Sequence, residues 1–82
     1  MIDVKQAVAI ASQYLTELFP DKSPANTQLE EVELSEDEKY WFVTLSFTGT
    51  IQGVIPLGKS YKLFKINADS GQVQSMKIRK VA

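Results

Sequence analysis

The sequence predicts an α+β fold: one N-terminal helix packed on a four-stranded antiparallel β-meander, in a single domain over residues 1–82. Three observations predict it. Apolar residues recur at helical spacing once, before Pro20. After that they fall into short segments rich in aromatic and β-branched residues, four in all. Turns rather than long crossovers join most of these segments, so neighbouring strands pair antiparallel and the one helix must lie across one face of the sheet. The composition agrees: 44% hydrophobic and 23% charged residues suit a small globular domain and exclude a collagen-like repeat or a disordered tail.

Asp3 opens the helix. Its carboxylate can accept from the free N–H groups of the first turn, and Gln6, three residues on, completes a capping box. Val4, Ala7, Val8, Ala11, Leu15 and Leu18 then form one apolar stripe, widened by Ile10, Tyr14 and Phe19. Pro20 has no N–H and disfavours helical geometry in the residue before it, so the helix is expected over 4–19.

Residues 20–27 read as a loop by composition. Leu29 to Leu34 alternates Val32 and Leu34 with Glu31 and Glu33, the pattern of a half-exposed strand. A turn at Ser35–Glu38 leads into the clearest strand, Tyr40 to Thr48. Trp41, Val43, Leu45 and Phe47 share one face of it, and Tyr40, Phe42, Thr44, Ser46 and Thr48 share the other. Gly49 to Ser60 reads as an unusually apolar loop with three glycines and Pro56. A third strand is expected over Tyr61–Asn67, with Phe64 and Ile66 on one face. The Asn67–Gly71 turn places a glycine where a positive φ is required. The last strand is expected over Gln72–Lys80. The spacing of Val73, Met76 and Ile78 is three then two, which calls for a bulge near Ser75.

The chemistry available to this chain is narrow. It has no cysteine and no histidine, which excludes Ser-His-Asp and Cys-His sites within one chain and the commonest transition-metal ligands. Glu36, Asp37 and Glu38 are adjacent but fall in a solvated turn, and their spacing is not that of a calcium loop. Gly49, Gly53 and Gly58 do not open a helix and make no phosphate-binding pattern. The expectation is a noncatalytic chain with no cofactor and no metal.

Net charge is −1, but unevenly placed: nine acids and three bases up to Trp41, then one acid and six bases. Early and late strands either complement each other within the sheet or create a surface dipole for a partner. Lys62 and Lys65 are separated by an odd number of residues, so a regular strand sends them to opposite faces, and no basic stripe for nucleic acid forms. No apolar run approaches the roughly 18 residues a spanning helix needs. Met1 to Lys5 shows no signal-peptide pattern, so a cytoplasmic location and no membrane partner are expected.

The residues Trp41-Phe42-Val43-Thr44-Leu45, followed by Phe64-Lys65-Ile66-Asn67-Ala68-Asp69-Ser70-Gly71-Gln72-Val73, resemble PepSY domains. That family has an aromatic strand, then a strand ending in Asp or Asn, a short turn with Gly, and a closing apolar strand. The helix from Val4 to Phe19 is similar to the one that precedes this sheet. Asn67 stands where the family more often has Asp, and the Gly49–Ser60 segment is longer and more apolar than a usual connection. The resemblance implies a small noncatalytic domain related to protease propeptides, one that binds or restrains peptidases.

The residues that stand out for binding are Tyr40 and Phe42, sent by alternation to the face the helix does not cover. Either cross-strand neighbours half-cover them, or they form a contact surface completed by Ile51, Val54, Ile55 and Leu57. The expected partner is a protein, including a second copy in a homodimer. The competing expectation is a sensor module with a small-ligand pocket between helix and sheet.

Overall fold

The computed structural model describes residues 1–18, 25–51 and 55–79, without the side chains of 25–26, 48–51 and 55–59. Helix α1 (Val4–Leu18) is followed by β1 (Ala25–Leu34), β2 (Tyr40–Ile51), β3 (Ile55–Asn67) and β4 (Val73–Ile78). The strands form one antiparallel sheet in the order β1-β2-β3-β4, and α1 packs on one face. This is the expected α+β meander.

The capping box forms in both directions. Asp3 N donates to Gln6 Oε1 and Gln6 N donates to Asp3 Oδ1, each at 2.8 Å. Ala7, Ala11 and Leu15 are the buried face of α1. Two alanines in that face let the helix axis approach the sheet closely. They meet Val43 and Leu45 of β2 and Phe64 and Ile66 of β3, all fully buried. Tyr14 adds an edge-on contact with the Phe64 ring, centroids 6.1 Å apart. Burial of each large side chain in this cluster contributes about 1.5–3 kcal/mol.

The N-terminal end of α1 is pinned. Ile2 N donates to Ala68 O at 2.7 Å, and Trp41 Nε1 donates to Ile2 O at 3.2 Å. Ala68 N in turn donates to Lys39 O at 2.8 Å, so the helix start, the end of β3 and the start of β2 are tied at one corner.

Several expectations are corrected. Gly49–Ser60 is mostly strand: β2 runs to Ile51, β3 begins at Ile55, and these two residues pair. The register shifts between Thr48 and Thr50, where Leu57 and Gly58 of β3 oppose the single residue Gly49 of β2, so the extra residue of the bulge is on β3. Pro56 is accommodated because β4 pairs only with Lys62–Ile66, leaving β3 a neighbour on one side there. β1 begins at Ala25 rather than Leu29, because residues with a loop-like composition are recruited by pairing with Thr48. Val4 and Leu18 are exposed despite lying in the stripe, because each sits at a helix end. Ile78 is exposed rather than inward, and Phe19 lies outside the described residues. The bulge in β4 falls at Gln74, next to the expected Ser75: Lys65 pairs with Ser75 and Ile66 with Val73.

The Asn67–Gly71 turn is built as expected. Asn67 Oδ1 accepts from Asp69 N and Ser70 N, and Gly71 takes φ +75°. A Cβ there would also sit 3.0 Å from Ile10 Cδ1. Gly71→Val is therefore expected to cost about 1–3 kcal/mol, from a strained φ and a displaced Ile10. Thermal unfolding checks it, and an unchanged midpoint would mean that the turn tolerates a β-branched residue.

Candidate interaction surface

Register fixes what shares the face opposite α1. β1 contributes Glu31 and Glu33, opposite Thr44 and Phe42. β3 contributes Tyr61, Leu63 and Lys65, opposite Ser46, Thr44 and Phe42. β4 contributes Ser75 and Lys77, opposite Lys65 and Leu63. Lys62 and Lys65 do fall on opposite faces, since Lys62 pairs with Leu45 on the helix side.

Tyr40 and Phe42 are half-buried on this open face. Lys65, directly across from Phe42, places its Nζ 4.2 Å from the Tyr40 ring centroid. Cross-strand neighbours thus half-cover both aromatics, and the ammonium sits where the ring quadrupole attracts it. Two of the proposed companions lie far away. Ile51 and Ile55 close the opposite end of the β2–β3 hairpin, about 30 Å along the strand from Phe42. Leu57 is in β3, and Val54 lies outside the described residues. Along the hairpin, Ile51 and Ile55 thus stand at the other end from Tyr40 and Phe42.

Thr44 and Ser46 have no helix above them, yet they are 1% and 0% exposed. Long side chains from both sheet edges supply the cover. Arg79 Nη1 donates to Thr44 Oγ1 at 2.7 Å and lies 3.3 Å from Glu31 Oε1. Ser46 Oγ donates to Glu30 Oε2 at 3.3 Å. Acidic β1 and basic β4 are opposite edges, not neighbours, and Arg79 spans the two middle strands to reach the acids.

On the helix side, length decides exposure. α1 is roughly 22 Å long and β2 roughly 40 Å, so the sheet continues well past the helix. Leu29, Leu45, Lys62 and Ile78 form one row across all four strands on this side. Leu45 is covered, while Leu29 at one edge is 47% exposed and Ile78 at the other 74%. Leu18, one turn beyond buried Leu15, is 46% exposed. This set was missed from the sequence. The usable signal was length: a 16-residue helix cannot cover a hairpin whose apolar pattern extends past Thr48.

Between α1 and β4, Ile10, Gln13, Tyr14, Glu17 and Val73 line an open groove of about 160 Å³. That is well below the roughly 300 Å³ at which small-molecule pockets begin. Among the described residues, no three His, Cys, Asp or Glu side chains gather to hold a metal ion, and no helix is long and apolar enough to cross a membrane. Compared with protein families, curated proteins and solved structures, the chain gives no significant match.

The turn between β1 and β2 is organised by Asp37. Its Oδ1 accepts from Ser35 Oγ at 2.6 Å and from Lys39 N at 3.0 Å, while Glu38 takes a positive φ of 59°. The Ser35 hydroxyl first, then the Lys39 amide, hold the Asp37 carboxyl below its ordinary 3.8. A depressed folded value stabilises above the unfolded one, and the contribution is lost as pH falls through the folded value. An NMR titration should show Asp37 titrating below 3.8 in the parent and moving back up in Ser35→Ala. No movement would remove Ser35 as the cause.

A second expectation separates the two contacts of Arg79. Both partners of the ion pair with Glu31 are solvent-accessible, so Glu31→Gln should change stability by less than about 1 kcal/mol. Arg79→Ala also strips the cover from the buried Thr44 hydroxyl and should cost about 1–2 kcal/mol. Equal losses in denaturant unfolding would contradict the distinction.

Proposed function

We propose that this chain is a noncatalytic protein-interaction domain, acting as a regulatory or peptidase-binding module. The observation that carries the reading is the exposure of Leu18, Leu29 and Ile78 on the helix side, where α1 ends and the sheet goes on. Leu29 and Ile78 stand at the two ends of one row on the helix side, and large apolar side chains left this exposed on one side of a sheet suit a contact with another protein. Leu29 and Ile78 share their row with Lys62, whose long stem leaves an apolar floor with a charged tip. Tyr40 and Phe42 become the secondary contact, because Lys65 already covers part of them. The PepSY resemblance makes peptidases the first partners to try.

The test uses the full chain as bait beside a Leu29→Ser/Ile78→Ser chain, first on a panel of purified peptidases and then on lysate. Truncating anchor side chains should weaken capture of a specific protein by about tenfold or more while the melting temperature holds. Identical capture by both baits, or a melting temperature that rises only with a small molecule, would overturn the reading.

A further inference from the structure

We propose that the free edge of β4 in one copy pairs with the free edge of β1 in the next, continuing the antiparallel sheet from molecule to molecule. The inference rests on the interaction-domain reading and names a second copy of this chain as the partner. β1 and β4 are the two outer strands of the sheet. Three successive antiparallel pairings make them antiparallel to each other. A translated copy therefore presents β1 to β4 in the right direction, with both helices on the same side.

One register satisfies both faces at once. It sets Met76 beside Leu34, Lys77 beside Glu33, Ile78 beside Val32 and Arg79 beside Glu31. Glu31, Glu33 and Lys77 stand on the open face, so acids meet bases there. Val32 and Leu34 pair with Val43 and Trp41, and Met76 pairs with Phe64, so apolar meets apolar on the helix side. Exposed Ile78 gains a neighbour in Val32. The register also fits the irregularities. In β1 the ladder is regular from Glu31 to Leu34, beyond the bulge at Glu30. In β4 it is regular beyond the bulge at Gln74, and Arg79 N still donates to Tyr61 O at 3.0 Å, which carries the strand to Arg79.

Symmetric alternatives are disfavoured by charge. Pairing β1 with β1 brings Glu31 and Glu33 against each other's copies, and pairing β4 with β4 does the same to Lys77 and Arg79. Only the head-to-tail contact is complementary. Such a contact does not close, so assembly is open-ended and grows with concentration instead of stopping at a dimer. Arg79 already reaches Glu31 in its own chain, which makes the exposed residues Lys77 and Glu33 the diagnostic pair.

Sedimentation velocity of the full chain over a concentration series tests this at low salt and at about 0.5 M salt, where screening is strong. The average mass should climb without a dimer plateau at low salt and fall back at high salt. In this register Glu33→Lys sets a lysine beside Lys77 of the next copy, and Lys77→Glu sets a glutamate beside Glu33, so each variant alone places like charges at that pair. Each variant alone should self-associate about tenfold more weakly, and a one-to-one mixture should recover the parent's association. A parent that stays monomeric at low salt overturns the proposal. So does a dimer plateau, or association indifferent to Lys77→Glu. Should either substitution unfold the chain, amide exchange of the parent decides: protection at both Val32 and Ile78 must rise with concentration. A chain that captures a foreign protein through Leu29 and Ile78 yet remains monomeric keeps the interaction reading and ends this one, whereas a chain that does neither ends both.

Discussion

The docking of Ala7, Ala11 and Leu15 onto Val43, Leu45, Phe64 and Ile66 is the contact on which the rest of the structure depends. A sheet of four strands needs a second layer to bury its apolar face, and α1 is the second layer here. Small residues on the helix bring it close, and the corner formed by Ile2, Ala68 and Trp41 fixes where it starts. From that corner α1 can run only so far. Among the described residues, Leu18, Leu29 and Ile78 on the helix side are left exposed, as that geometry requires.

The open face solves the same problem differently. Among the described residues no helix or strand covers it, and two short hydroxyl residues, Thr44 and Ser46, occupy the centre of β2. Long charged side chains from the outer strands lie over them, with their stems on apolar surface and their tips paired. This arrangement leaves no buried side-chain nitrogen or oxygen without a partner among the described residues. It also leaves both edges strongly charged, acidic on β1 and basic on β4. Charged edges ordinarily keep sheets apart. Opposite charges at opposite edges penalise like-with-like pairing and spare the head-to-tail arrangement, so the same residues can act as a barrier and as a selector.

Much of the fold was legible in the residues. The capping box at Asp3 and Gln6, the alternation from Trp41 to Phe47 and the Gly71 turn are local signals, and each is realised locally. What escaped was non-local. Gly49 and Pro56 read as breakers, but a long partner strand and a missing neighbour make both tolerable in a hairpin. Ala25 and its neighbours have loop-like composition and become strand through pairing alone. The site fared worse than the fold, because alternation assigns a face but not a position along the strand. Tyr40 and Phe42 were grouped with Ile51 and Ile55 by chemistry, and strand length separates them. Ile78 was read as inward from its spacing, although exposure depended on where the helix stops.

If α1 is the layer that makes the sheet stable, helix and sheet must unfold together. The direct measurement is thermal unfolding of the parent and of Leu15→Ala, followed at once by far-UV circular dichroism for α1 and by Trp41 fluorescence for the sheet. The account predicts coincident transitions by both probes, displaced together in Leu15→Ala by a loss of about 2–5 kcal/mol. A helix signal that melts first while Trp41 keeps its native emission would contradict it, because the sheet would then stand without the helix.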